Sequence, residues 1–235
     1  MKNISFLIVI FFANAIQAVT GFAGTVLAMP PSMYLIGMDN AKVVIGAITL
    51  LSGLLIAVSN YKSIQWKEFT KMAVFMFAGM IIGTKLYSVL PSDMLLKVYG
   101  FIILAVACKN LFLKSERELA RVLLPGVLLA AGIVHGMFLS GGALLVIYAV
   151  QVLKNKEEFR ATVALIWVFL NTFLMVGQLR EGLYTPGNIH LILLSLIPLL
   201  LATWVGGKLA KQMKQSTFLT LTYILLIISG VSLIL

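Results

Sequence analysis

The sequence predicts an all-α polytopic membrane protein: about eight hydrophobic segments in two four-segment repeats, the first segment of each repeat broken at glycines. Three observations predict it. The composition is strongly apolar, apolar runs of spanning length follow one another along the whole chain, and a glycine-rich polar break returns half a chain later.

Of 235 residues, 61% are hydrophobic and 11% charged, and the mean hydropathy is +1.05. A soluble domain carries about 25% charged residues, so this composition belongs in a bilayer. A spanning helix needs about 20 largely apolar residues. Candidate segments cover residues 4–30, 43–58, 72–90, 94–113, 122–150, 161–179, 189–207 and 217–235, which leaves no room for a soluble domain. The net charge of +10 is scattered over short loops. With no basic face and no aromatic stacking motif it excludes a nucleic-acid partner and reads as loop and lipid-headgroup charge. Cys108 is the single cysteine, so no intrachain disulfide forms.

Segment one opens like a secretory signal, with Lys2, an apolar core and the small residues Ala13 and Ala15. The apolar run continues past Ala15, so it is expected to stay in the protein. Its break holds Gln17, Thr20, Gly21, Gly24 and Thr25, and Pro30 with Pro31 is expected to end it. Asp39 and Asn40 are expected to cap segment two, whose Gly46, Thr49, Ser52 and Gly53 allow close helix approach. Trp66, among Lys62, Lys67 and Lys71, reads as an interfacial anchor before segment three. Gly79 and Gly83 supply a Gly-xxx-Gly contact on that segment. Pro91, Ser92 and Asp93 would cap segment four. The polar linker 114–121 then divides a first membrane repeat, 1–113, from a second, 122–235.

The halves align. Gly24, Leu27, Asp39 and Lys42 meet Gly142, Leu145, Glu157 and Arg160 at one offset of 118, and Gly83, Lys85 and Leu86 meet Gly206, Lys208 and Leu209 at 123. Such duplication of membrane helices is typical of secondary transporters. If all eight segments cross, Lys and Arg divide nine against nine between the two sides, contrary to the usual excess in cytoplasmic loops. If segments one and five dip in and return, thirteen of the eighteen fall on one side, the halves become inverted repeats and both termini lie outside.

A helix interrupted at glycines exposes backbone N–H groups at the start of its second half, together with the positive end of its dipole. Gly21 to Thr25 and Ser140, Gly141 and Gly142 therefore read as an anion-capture pair. Thr20, Thr25 and Ser140 add hydroxyls. His135 and Gln17 occupy equivalent positions before the two breaks, and His135 is the one intramembrane group suited to carry a proton. Asn171 is a further cavity candidate. Asp39 with Lys42, and Glu157 with Arg160, are spaced for helix-start ion pairs or for a gate at the membrane surface. All eight acidic residues lie in loops or near segment ends. There is no His-Glu-x-x-His, no Gly-x-Ser-x-Gly and no paired intramembrane carboxylate, so neither an enzyme nor a metal or other cofactor is expected.

With its broken first segment (Gly21 to Gly24), the small-residue helix from Asp39 to Gly53, the run from Gly83 to Leu86, and the second-half residues Ser140 to Gly142 and Arg160 to Thr162, the chain resembles the TauE/SafE family of sulfite and organosulfonate exporters. The resemblance spans nearly the whole chain. It implies an inner-membrane permease for a small sulfur-containing anion such as sulfite, thiosulfate or a sulfonate, working without ATP hydrolysis. The expected function is a secondary transporter with alternating access around a mid-membrane site. An uncoupled anion channel, a non-transporting scaffold and an intramembrane hydrolase using His135 and Ser140 are the alternatives. The expected partners are the anion and the lipid bilayer, with proton coupling and self-association left open.

Overall fold

A computed structural model of the chain describes residues 2–89, 120–153 and 155–214, with single positions from 94 to 108 and from 216 to 231. The segments expected at 94–113 and 217–235, the cap at Pro91 to Asp93 and most of the 114–121 linker fall largely outside the described residues. Among the described residues the regular structure is entirely helical. It comprises α1 (Lys2–Thr20), α2 (Ala23–Ile36), α3 (Met38–Ser59), a 3-10 turn (Tyr61–Ser63), α4 (Trp66–Val89), α5 (Leu124–Phe138), α6 (Gly142–Val152), α7 (Lys156–Arg180) and α8 (Pro186–Gln212). Of these, α1, α3, α4, α7 and α8 are long and apolar enough to cross a membrane, whereas α2, α5 and α6 are shorter.

Both glycine-containing segments break where the sequence places the break. Gly21 has φ +84° and ends α1 with its N–H on the Gln17 carbonyl. The second break turns at Leu139, a rare non-glycine residue at φ 55°, before Ser140 and Gly141. Leu139 is fully buried, and a Cβ at Gly46 would lie 3.0 Å from its Cδ2, so packing against α3 holds the left-handed conformation in place.

Two local expectations differ from the structure. Helix α2 runs through Pro30 and Pro31 and stops only at Gly37, with φ +84° and its N–H on the Met33 carbonyl. The prolines remove two helix bonds, but Val26, Ala28, Met29 and Ser32 bury the segment on both sides of them and hold it helical. The N-cap of α3 is Gly37, with Asp39 in the first turn and Asn40 Nδ2 donating back to the Ile36 carbonyl.

α3 and α7 form the centre and run antiparallel: Gly46 approaches Asn171, and Gly53 approaches Ala164 and Val168. The end where α3 starts and α7 finishes is called upper here. α1 and α2 fold back on each other, with Phe6, Ile10, Ala28 and Met29 in one apolar cluster, and α5 and α6 form the corresponding pair. α4 lies along α5 and α8 along α1. Glycines set both contacts. A Cβ at Gly132 would lie 2.7 Å from Met76 Cα, one at Gly83 would lie 2.9 Å from Ile133 Cα, and one at Gly206 would lie 2.7 Å from Ala18 Cβ.

Candidate functional site

The first break is tied down by its own polar residues. Thr20 Oγ1 donates to the Ile16 carbonyl at 2.8 Å and accepts from the N–H groups of Phe22 at 3.4 Å and Ala23 at 3.1 Å. Gln17 Oε1 accepts from Gly24 N at 3.0 Å, while its Nε2 is buried without a partner. The amides at the start of α2, read from sequence as open to an anion, therefore have acceptors inside the chain. Gly24 is needed for this closeness, since a Cβ there would lie 2.9 Å from the Ala13 carbonyl oxygen. Thr25, buried beside it, completes the first break.

The second break meets the first. A Cβ on Gly142 would lie 3.0 Å from the Phe22 ring, so the two turns touch in the interior. Ser140 Oγ donates to the Phe138 carbonyl at 3.0 Å, and Gly141 packs on His135. His135 is fully buried, stacked on the Trp167 ring at 5.1 Å and 29°. Neither of its ring nitrogens reaches a hydrogen-bond partner; Asn171 is the polar side chain beside it, and Asn171 Oδ1 is likewise unsatisfied. Trp167 Nε1 donates to the Gly21 carbonyl at 2.8 Å and so links the second half to the first break. Asn14, Asn60 and Asn171 each donate to a carbonyl four residues earlier in their own helices, so none bridges helices.

The helix-start ion pairs are not formed. Asp39 instead accepts from Tyr87 Oη at 3.0 Å, and Lys42 Nζ sits 3.4 Å from the centre of the Tyr87 ring. Glu157 lies 3.8 Å from Lys156. Arg160, only 5% exposed, donates from Nε at 2.9 Å and Nη2 at 2.5 Å to the Ala18 carbonyl. The reason is geometric: the α1 turn before Gly21 leaves a carbonyl facing Arg160, and Tyr87 of α4 comes between Asp39 and Lys42.

Two open cavities flank this interior. The upper one, about 590 Å³, lies at the start of α3 and the finish of α7, with Asp39, Lys42, Tyr87, Gln178 and Glu181 in its walls. The lower one, about 440 Å³, lies at the opposite end, with Asn60, Arg160, Trp204, Lys208 and Lys211. Their walls correspond position by position. Ala18, Leu55, Asn60 and Arg160 of the lower cavity pair at the 118 spacing with Gly136, Phe173, Gln178 and Lys42 of the upper. Leu200, Trp204 and Gly207 pair at the 123 spacing with Phe77, Ile81 and Thr84. Both have the size of small-ligand sites. Among the described residues no three His, Cys, Asp or Glu come together to hold a metal ion.

The family model described as "Sulfite exporter TauE/SafE" matches residues 6–233. The chain belongs to the TauE/SafE family. Among curated proteins and among solved structures nothing matches it significantly. TauE/SafE proteins are membrane permeases, and five helices of spanning length fit this chain to that role. Phe22 and Trp167 are site residues that the sequence pattern does not single out. A tryptophan in the middle of an apolar segment, away from the interfaces where the residue gathers, was the available signal, because its buried N–H needs an acceptor.

Proposed function

We propose that this TauE/SafE protein is a secondary transporter for a small sulfur-containing anion, sulfite, thiosulfate or a sulfonate, working by alternating access between two inverted repeats. The repeats are 1–113 and 122–235, joined by the 114–121 linker. The observation that carries the reading is the pair of cavities at opposite ends of α3 and α7, lined by equivalent residues of the two halves and separated by the touching breaks. A carrier must offer the same substrate two mouths and one barrier, and related halves provide two related mouths.

α1–α2 descends from the upper end and returns to it, and α5–α6 rises from the lower end and returns. The barrier consists of Gln17, Thr20, Gly21, Gly24 and Thr25 from one hairpin and His135, Ser140, Gly141 and Gly142 from the other, with Asn171 beside them. In this state Thr20 and Gln17 occupy the amides of α2. An anion reaching the barrier exchanges with those acceptors, and rocking of one half against the other opens the opposite mouth. Asp39, Lys42, Glu157 and Arg160 stand at the approaches. The lower end carries the basic loops and is cytoplasmic, with the termini outside and the bilayer a cell (inner) membrane. His135 is the proton carrier if transport is coupled. His135→Gln, which copies its equivalent Gln17, is expected to keep saturable flux and abolish any proton movement with it.

Purified protein in liposomes loaded with labelled sulfite tests the reading. Saturable flux with counterflow is expected. Flux that never saturates would make the protein a channel, and no flux of any oxyanion would make it a scaffold.

A further inference from the structure

We infer that the two cavities are paired anion-binding sites of unequal strength, the lower built on Arg160 and the upper on Lys42, with the lower cavity binding an oxyanion the more tightly. The inference rests on the transport reading and assigns the recognising residues within it.

Arg160 is 95% buried by its 5% exposure, yet among the described residues no carboxylate lies within ion-pair distance of it. A guanidinium carries five donors in a planar fork. Two of its nitrogens are spent on one neutral carbonyl of Ala18, and the side chain lines the lower cavity. A buried cation without an anion is costly, and an oxyanion in the cavity is the missing partner, held in the geometry that arginine favours. Lys42, at the equivalent position, is likewise without a carboxylate within ion-pair distance; it rests on the Tyr87 ring and lines the upper cavity. Two halves that diverge in most side chains thus keep a cation at the same place in each mouth.

The surroundings differ. Arg160 shares its cavity with Lys208, which lies 3.6 Å from the Trp204 ring centre, and with Lys211, and no acidic residue lines the wall. Lys42 shares its cavity with Asp39 and Glu181. Like-signed charges in a narrow cleft concentrate counter-ions, and carboxylates repel them. Fixed charge cannot set the direction of net flow, which follows the gradient, but it does set the concentration at which each mouth fills.

The test compares labelled sulfite uptake by everted and right-side-out membrane vesicles from cells making the full chain. The half-saturating concentration is expected to be lower in everted vesicles, whose medium reaches the lower cavity, by about tenfold, a gap that narrows with added salt. Arg160→Gln should raise the everted value about tenfold or more, with partial recovery in Arg160→Lys. The exposed pair Lys208→Gln and Lys211→Gln should raise it about threefold without a folding risk, and Asp39→Asn with Glu181→Gln should lower the right-side-out value. Equal values from both sides, or an everted value indifferent to the Lys208 and Lys211 changes, would overturn the inference while leaving transport intact. Absence of flux from either side would remove the transport reading itself.

Discussion

Thr20 illustrates how a polar residue in an apolar run can serve the backbone before it serves a ligand. Its hydroxyl accepts from the amide of Phe22, just before α2, and from that of Ala23, the first residue of α2. Leaving buried amides without their acceptor costs about 1–3 kcal/mol. Thr20→Val, which keeps the shape and removes the acceptor, is therefore expected to lower thermal stability in detergent by that amount, with Thr20→Ser close to the parent. A second expectation concerns the contact between the breaks. Gly142→Leu drives side-chain atoms into Phe22, which already lies at 3.0 Å from a Cβ there. Flux should fall to background while the protein still inserts, measured by sulfite efflux alongside membrane yield. Unchanged flux would mean that the meeting of the breaks is not the barrier. Gln17, Thr20, His135 and Ser140 were legible in the sequence because each is a polar contrast in an apolar segment. What each one bonds was not, since a hydroxyl facing a ligand and one facing its own backbone leave the same spacing. Phe22 supplies no such contrast, although it fills the gap between the breaks, and Trp167 offers only its indole N–H, which bonds the Gly21 carbonyl across the halves.

At the scale of elements, the helix pairs α4–α5 and α1–α8 depend on backbones approaching without side chains between them. Within α5 the glycines differ sharply. A Cβ at Gly132 would lie 2.7 Å from Met76 Cα, whereas one at Gly126 would meet nothing within 4 Å. α8 repeats the contrast with Gly206, against Ala18, and its neighbour Gly207, in open space. Gly132→Val and Gly206→Val are expected to lose the monodisperse peak in gel filtration, and Gly126→Val and Gly207→Val to retain it. Overpacking of this kind costs roughly 1–3 kcal/mol and more where backbone is struck, so the four variants should separate cleanly. The Gly79 and Gly83 spacing announced a close contact from sequence alone, but not its partner, because choosing α5 over another apolar helix depends on complementary knobs distributed over the whole surface. The persistence of α2 through Pro30 and Pro31 was hidden for a related reason: local propensity opposes it, and burial by distant residues overrides that propensity.

At the scale of the whole molecule, both helix breaks were legible in the sequence, because glycine and polar residues stand out in apolar runs, and the proposed repeat rests on the constant offset between them. The two cavities were not legible, since each gathers residues from four helices and both halves. The decisive question is whether α1–α2 returns to the side on which it starts. Asn3 near the start of α1 and Tyr34 near the end of α2 are both exposed, Tyr34 by 91%, while Tyr61 in the turn after α3 is 62% exposed. In a background carrying Cys108→Ser, single cysteines at these three positions can be labelled in intact cells with a maleimide that does not cross membranes. A returning hairpin places positions 3 and 34 outside together, so both react directly and position 61 reacts only after permeabilisation. If the segment 4–30 instead crosses the bilayer as one kinked unit, α1 and α2 together, positions 3 and 34 separate, one reacting directly and the other only after permeabilisation. The inverted arrangement fails with that result, because α5–α6 would then no longer be its mirror across the membrane, and the two cavities would lose the symmetry relation that makes them alternate mouths of one path.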